Sequence, residues 1–334
     1  PTGIEGFPHM GHCPNKGMDN NKIIKNLTIF NIFINLSKLY HNSCKKFNAN
    51  RNKMTHQIET IDYKSDNAKH KLVESLHDTG FAVLHNHPID QKQITLVYNE
   101  WEKFFNDDDK YSYKFDPETQ DGYFPYLSEN AKGYSKKDLK EFFHYYEWGI
   151  YPDNMSNNTI LLYHDLLKLG QELLQWVDVH TPKNISSCFS MPLCQMSNNS
   201  KTNLLRILHY PPLKTNIEKG AIRAAEHEDI NLITILVTGS QPGLQVKTND
   251  NQWLEIECNP GWIIINSGDM LSECSGGYFP STSHRVINPS NETSKISRYT
   301  MPLFIHPRDE VILSKNYTAK SFLEERLKEI GLKE

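Results

Sequence analysis

The triplet His227-Glu228-Asp229 runs directly into Ile230-Asn231-Leu232-Ile233-Thr234-Ile235-Leu236-Val237, a segment rich in β-branched residues and short enough for a buried strand. No other feature constrains the chain as much, because ionisable groups stand at the start of a stretch bound for a core. On extended backbone, residues two apart project to one side, so His227 and Asp229 share a face while Glu228 turns away. The pair can hold one ion between them at the strand's start. A second histidine, His284, lies in another short β-type segment, Ser283-His284-Arg285-Val286-Ile287, at a separation that a Greek-key sheet closes in space.

Two imidazoles and one carboxylate leave coordination positions open. That donor set suits a non-haem Fe(II) centre, whose empty positions take O2 and a chelating co-substrate. A zinc-protease arrangement is excluded, since the chain has no His-Glu-x-x-His. Structural zinc would call for four closed ligands, usually with cysteine among them, and no cysteine stands beside these residues. Asp269 is expected to shape a tight turn after Trp262-Ile263-Ile264-Ile265-Asn266, because a fourth ligand would fill the position O2 needs. Downstream, Arg298 and Thr300 stand two apart in the β-type stretch 296–305, with Tyr299, Met301, Leu303 and Ile305 on the opposite face. A buried guanidinium beside a hydroxyl suits a carboxylate that arrives with a ligand, so this pair reads as an anion anchor.

These residues also carry a family resemblance. Besides the triad and Arg298-x-Thr300, the matching stretches are Asp78-Thr79-Gly80-Phe81 with Asn86-His87, Leu208-His209-Tyr210-Pro211-Pro212, Gly243-Leu244-Gln245-Val246 and Gly268-Asp269-Met270. From about Ile58 to Pro307 the chain resembles the isopenicillin N synthase-like branch of the Fe(II)/2-oxoglutarate-dependent dioxygenases. The region Gly122–Pro125, Glu129–Gly133 and Asp138–Glu141 is similar to microbial members and speaks to branch, not chemistry. The resemblance implies a mainly β fold with flanking helices, built on a double-stranded β-helix or jelly roll. It implies Fe(II) held by His227, Asp229 and His284, with 2-oxoglutarate chelating the metal and its far carboxylate meeting Arg298 and Thr300 in a pocket lined by Tyr210. It further implies O2-driven hydroxylation, desaturation or cyclisation of a small molecule, coupled to decarboxylation of 2-oxoglutarate to succinate.

Leu208 stands where many plant members carry asparagine, removing one polar contact to the co-substrate, and Thr300 replaces the more usual serine while keeping the hydroxyl. The polar stretch Asn288–Lys295 is longer than the compact plant pattern and reads as a surface turn. Some members of this fold work without 2-oxoglutarate, and Arg298 would then hold a carboxylate of the substrate. The rival from another class is a jelly roll that binds metal without turnover.

Residues 1–53 match nothing in the family and are expected to form a poorly ordered extension, with Met54 a candidate start. Within it, Lys22 and Lys25 precede the apolar run Leu27–Leu36, an arrangement that mimics a targeting segment but is too short and asparagine-rich for a membrane span. Residues 54–334 read as one domain: a helical and strand part over about 54–200, the jelly-roll core over about 201–307, and a C-terminal helix over about 319–330 that could cover the barrel or close over the active site. Helices are predicted over Asn67–Asp78, Ile94–Phe105 and Ile160–Val179, the last with Leu161, Leu162, Leu166, Leu167, Leu173 and Leu174 at helical spacing, and a strand over Phe81–His85. A net charge of −4 and a pI near 6.5 give no electropositive footprint, so the expected partner is a small molecule, not nucleic acid or a membrane. The six cysteines are scattered with no C-x-x-C pair, which fits reduced thiols in the cytoplasm. His85, His87, His144, His209 and His306 read as satisfied polar residues, and the aromatic cluster Phe142-Phe143-His144-Tyr145-Tyr146 reads as packing.

Overall fold

Successive strands in the C-terminal half change sheet at nearly every step, and this alternation closes the chain into a roll. The computed structural model describes residues 58–130, 134–215 and 217–329. The expected extension over 1–53, its targeting-like run and Met54 lie outside the described residues. The strands are β1 (Thr60–Asp62), β2 (Phe81–His85), β3 (Gly122–Phe124), β4 (Glu141–Tyr145), β5 (Leu204–Tyr210), β6 (Ala224–His227), β7 (Ile233–Val237), β8 (Leu244–Lys247), β9 (Trp253–Glu255), β10 (Ile263–Ser267), β11 (His284–Val286) and β12 (Arg298–Ile305). One sheet has the order β1-β2-β10-β7-β12-β5-β4-β3 and the other β6-β11-β8-β9. The block β10-β7-β12-β5 and the smaller sheet are the two walls of a double-stranded β-helix, as the family resemblance implied.

Period-two alternation sorts the side chains of the larger sheet between two cores. On β12, Arg298, Thr300, Pro302 and Phe304 face a cavity inside the roll, while Tyr299, Met301, Leu303 and Ile305 enter the helix-side core. β7 repeats the division, with Thr234 and Leu236 inward and Ile233, Ile235 and Val237 outward. Inside the roll, Ala224, Leu244, Val246 and Val286 of the small sheet pack with Phe81, Leu208, Tyr210 and Ile264 of the large one. Pro302 has no N–H to donate, and the ladder between β12 and β5 lapses between Thr300 and Leu303 before resuming in register.

Helices cover the outer face. The first predicted helix lies one residue later than expected, at Ala68–Thr79, and the other two extend past their expected bounds, to Gln91–Asn106 and Asn158–His180. The second begins early because Asp90 caps it, accepting from the Lys92 N–H at 2.9 Å. In the third, Leu162, Leu166, Leu169, Leu173, Leu174 and Val177 are buried along one stripe, whereas Leu161 points to solvent. Trp101 ties two of these helices together by donating its indole N–H to Thr159 Oγ1 at 2.9 Å. The C-terminal helix, Ala319–Glu329, buries Phe322 in the same core. No helix among the described residues is long and apolar enough to cross a membrane.

One local expectation needs correction. Asp269 opens a short helix, Asp269–Cys274, instead of closing a tight turn, because its N–H is drawn to the Asp229 carbonyl at 2.7 Å. The polar stretch before β12 is a turn, as expected, and winds into a short 3-10 helix over Asn291–Lys295.

Gly170 lets the third helix lie directly on the sheet: a Cβ there would collide with Ile305 Cδ1 and come within 2.7 Å of Ile235 Cδ1. Gly170→Leu should therefore destabilise the protein by about 1–3 kcal/mol through overpacking, despite a gain in helix propensity of under about 1 kcal/mol. Urea denaturation, with unchanged slope and a lowered midpoint, would show it.

Candidate metal centre and anion pocket

The triplet does not lie on one strand. His227 ends β6 in the small sheet, and Asp229 falls in the link that carries the chain across to β7 in the large one. The expectation of a site at a single strand's start is thus replaced by a site at a crossing between sheets. Glu228 is exposed there and accepts from Ser283 Oγ at 2.7 Å. His284 completes the group because β11 pairs antiparallel with β6 and sets His284 opposite His227. One donor atom from each of His227, Asp229 and His284 lies within 4.8 Å of the others, the separation a single ion can span.

Each donor is aimed by a second bond. The Nδ1–H of His227 donates to the Ala225 carbonyl at 2.7 Å, and that of His284 to the Thr282 carbonyl at 3.2 Å. Both tautomers are thereby set with Nε2 free as a ligand. Asp229 Oδ2 accepts from Thr234 Oγ1 at 2.6 Å and from Asn266 Nδ2 at 2.8 Å. Oδ1 is left pointing toward His284, whose Nε2 is 3.7 Å away. Burial works to raise the Asp229 pKa, but His284, His227 and the Thr234 and Asn266 hydrogen bonds outweigh it and hold the carboxyl below its ordinary value. Burial first, and then the charge His284 would carry, depress His227, so its imidazole is neutral and available to a cation.

The triad opens onto a cavity of about 60 Å³ that is also lined by Tyr210, Leu208, Arg298 and Thr300. Arg298 is 2% exposed, and its Nε donates to the Gln241 carbonyl at 2.9 Å while Nη1 has no acceptor. Gly239 makes room for it, since a Cβ there would stand 2.7 Å from Arg298 Nη2. Tyr210 is the register partner of Arg298 across β5 and β12, and the guanidinium lies 5.2 Å from its ring centre. Thr300 Oγ1 donates to the Val237 carbonyl at 3.1 Å. Leu208 sits directly opposite Thr300, so the wall where an asparagine was expected in plant members is apolar.

Several partners escaped the reading of the sequence. Thr234 and Asn266 are polar residues inside apolar strands, a pattern with too many meanings to single out. Lys140 and Arg206 also line the cavity. Lys140 pairs with Glu129 at 2.7 Å and Asp138 at 2.9 Å, and Arg206 lies 3.6 Å from Glu129. Asp138 in turn accepts from the Ala225 N–H at 3.0 Å, on the residue whose carbonyl orients His227. The stretch read as marking only the branch is therefore bonded, through Asp138, to Ala225, the residue whose carbonyl orients His227. The histidines expected to be structural include His209, which bonds Glu141 at 2.7 Å and Ser297 at 3.0 Å, and His144, which accepts from Arg206 Nε at 2.8 Å.

Comparison with known proteins bears on the family and the fold. Residues 193–307 match the model of the 2OG-Fe(II) oxygenase superfamily, and residues 58–160 that of the non-haem dioxygenase in morphine synthesis N-terminal region. Gibberellin 2-beta-dioxygenase 1 of Arabidopsis thaliana is 26% identical over 270 residues, covering 75% of this chain and 78% of the relative. Isopenicillin N synthase of Streptomyces clavuligerus is 24% identical over 276 residues, with 74% and 82% covered. A crystal structure of a Shewanella oneidensis protein carrying an oxygenase designation is 50% identical, with a TM-score of 0.75, and spans 82% of this chain and 99% of its own.

The support under Asp229 is directly testable. Thr234→Val and Asn266→Ala should each leave the protein folded but weaken divalent metal binding by about 10–100-fold, because the carboxylate loses an orienting bond. Calorimetric titration with Mn(II) would measure it, and affinity equal to the parent in both variants would refute the orienting role.

Proposed function

Because the chain belongs to the 2OG-Fe(II) oxygenase superfamily, in its isopenicillin N synthase-like branch, we propose that His227, Asp229 and His284 hold Fe(II) and that Arg298, Thr300 and Tyr210 receive the far carboxylate of 2-oxoglutarate. The protein is an Fe(II)/2-oxoglutarate-dependent oxidoreductase that acts on small molecules. When bound, iron and the keto acid together supply the O2-derived oxidising power, with 2-oxoglutarate decarboxylated to succinate. One observation carries the assignment of residues: an open set of three oriented donors and a buried guanidinium with an unmet N–H line the same cavity.

The donor chemistry fits the metal, since two neutral imidazoles and one ionised carboxylate are what Fe(II) binds with positions to spare. The pocket also fits the co-substrate. Arg298 presents a fixed fork to a carboxylate. Thr300 can join it once its hydrogen swings from Val237 to the ligand, and Tyr210 forms the adjoining wall. With Leu208 in place of an amide, recognition of the anion rests more heavily on Arg298. Phe81, Leu236, Leu244 and Val286 complete an apolar lining that keeps water from competing and strengthens every charge interaction inside.

The prime substrate falls, in this reading, among small organic molecules, as the names of the gibberellin and isopenicillin N relatives suggest by analogy. A net charge of −4 offers no broad attraction to nucleic acid or to an anionic membrane surface. A cytoplasmic setting is the one we propose, consistent with the scattered cysteines.

Anaerobic addition of Fe(II) and then 2-oxoglutarate should produce the weak visible charge-transfer band of a chelated keto acid. Asp229→Ala should lose both iron and band. Arg298→Ala should keep iron but require roughly 30-fold more 2-oxoglutarate, since a buried charge partner is removed. Bound iron without a band would overturn the co-substrate assignment and give Arg298 to a carboxylate of the substrate, and failure to bind iron would overturn the triad.

A further inference from the structure

Arg223, four residues ahead of His227, is completely buried, yet most of its hydrogen-bonding capacity is unused. Its Nη2 donates to the Ile296 carbonyl at 3.1 Å, whereas Nε and Nη1 meet no acceptor. Its guanidinium lies 5.9 Å from the ring centre of Tyr210, and that of Arg298 lies 5.2 Å from the same ring. Among the described residues, no carboxylate forms an ion pair with either arginine. The neighbouring cations are treated differently: Lys140 and Arg206 are neutralised by Glu129 and Asp138. Burial, and then the charge of Arg298, depress the Arg223 guanidinium to about 10, which leaves it charged at neutral pH.

Two buried, uncompensated cations beside one aromatic ring carry a desolvation cost and a mutual repulsion that an incoming anion would relieve. Arg298 borders the cavity and Arg223 is set back from it. We propose that Arg223 is a specificity-determining partner of Arg298: its uncompensated charge, acting across Tyr210, makes the pocket select keto acids that end in a second carboxylate. The inference rests on the assignment of 2-oxoglutarate to this pocket. Arg223 acts at one remove and is a positioning residue, not a catalytic one.

The test compares two acids with the same keto acid head, 2-oxoglutarate and 2-oxopentanoate, in which a methyl group replaces the far carboxylate. Their dissociation constants would be read anaerobically from the charge-transfer band on the Fe(II)-loaded full chain. Arg223→Met should cut the preference for 2-oxoglutarate by about tenfold or more, as expected for loss of one nearby charge in a low-dielectric site. Binding of 2-oxopentanoate should be unchanged, which also reports that the variant is folded. Arg223→Lys, which keeps the charge, should restore most of the preference. An unchanged preference in Arg223→Met would overturn the proposal, as would equal weakening of both acids in the Met and Lys variants, which would mark Arg223 as structural. Absence of any preference in the parent protein, or its survival in Arg298→Met, would sink the co-substrate reading itself.

Discussion

Asp229 is a carboxylate held almost wholly out of water, and the arrangement of both sheets follows from keeping it ionised there. An unpaired buried charge would cost several kcal/mol, so one oxygen takes two hydrogen bonds from the large sheet, Thr234 on β7 and Asn266 on β10. The other oxygen faces His284 from the small sheet. The carboxylate therefore joins the two walls of the roll at one point. Moving either wall would disturb the relative positions of His227, Asp229 and His284.

A second constraint is that the large sheet is buried on both faces. The helix-side face is filled by Ile, Leu, Met and Tyr side chains, and the inner face must be nearly as apolar while still carrying a polar pocket. β12 resolves this by assigning each parity one task. Tyr299, Met301, Leu303 and Ile305 anchor the strand against the helices, which frees Arg298 and Thr300 to project inward at a fixed height. The placement of Arg298 and Thr300 in the cavity thus derives from core packing on the opposite side of the same strand.

The parts legible in the sequence were those in which one physical rule dominates. Period two made the two faces of β12 readable, and apolar spacing made the helix Asn158–His180 readable, though Leu161 shows that a leucine at helical spacing need not face the core. The grouping of His227, Asp229 and His284 was legible in the sequence, but its topology was not. His227 to Val237 contains no glycine or proline to mark the crossing, so an extended segment shared by two sheets looked like a single strand. Asp269 was misjudged for a related reason, since a backbone hydrogen bond to Asp229 across the fold decided its conformation. Asn266 and Arg223 acquire meaning only through partners distant in sequence, and no local pattern announces such partners.

The charges around the cavity divide into two kinds, and the division is informative. Glu129, Asp138, Lys140 and Arg206 form a closed network whose charges cancel, and although burial opposes ionisation, Lys140 and Arg206 hold the Glu129 carboxyl well below its ordinary value. Such a network leaves little net charge beside His227. Arg223 and Arg298 are left without counter-charge at comparable depth. Were the second pair only structural, an acidic neighbour would stabilise the free protein, as Glu129 does a short distance away. Leaving it out makes the free pocket less favourable and the occupied pocket more so, which is the difference on which selective binding of an anion depends.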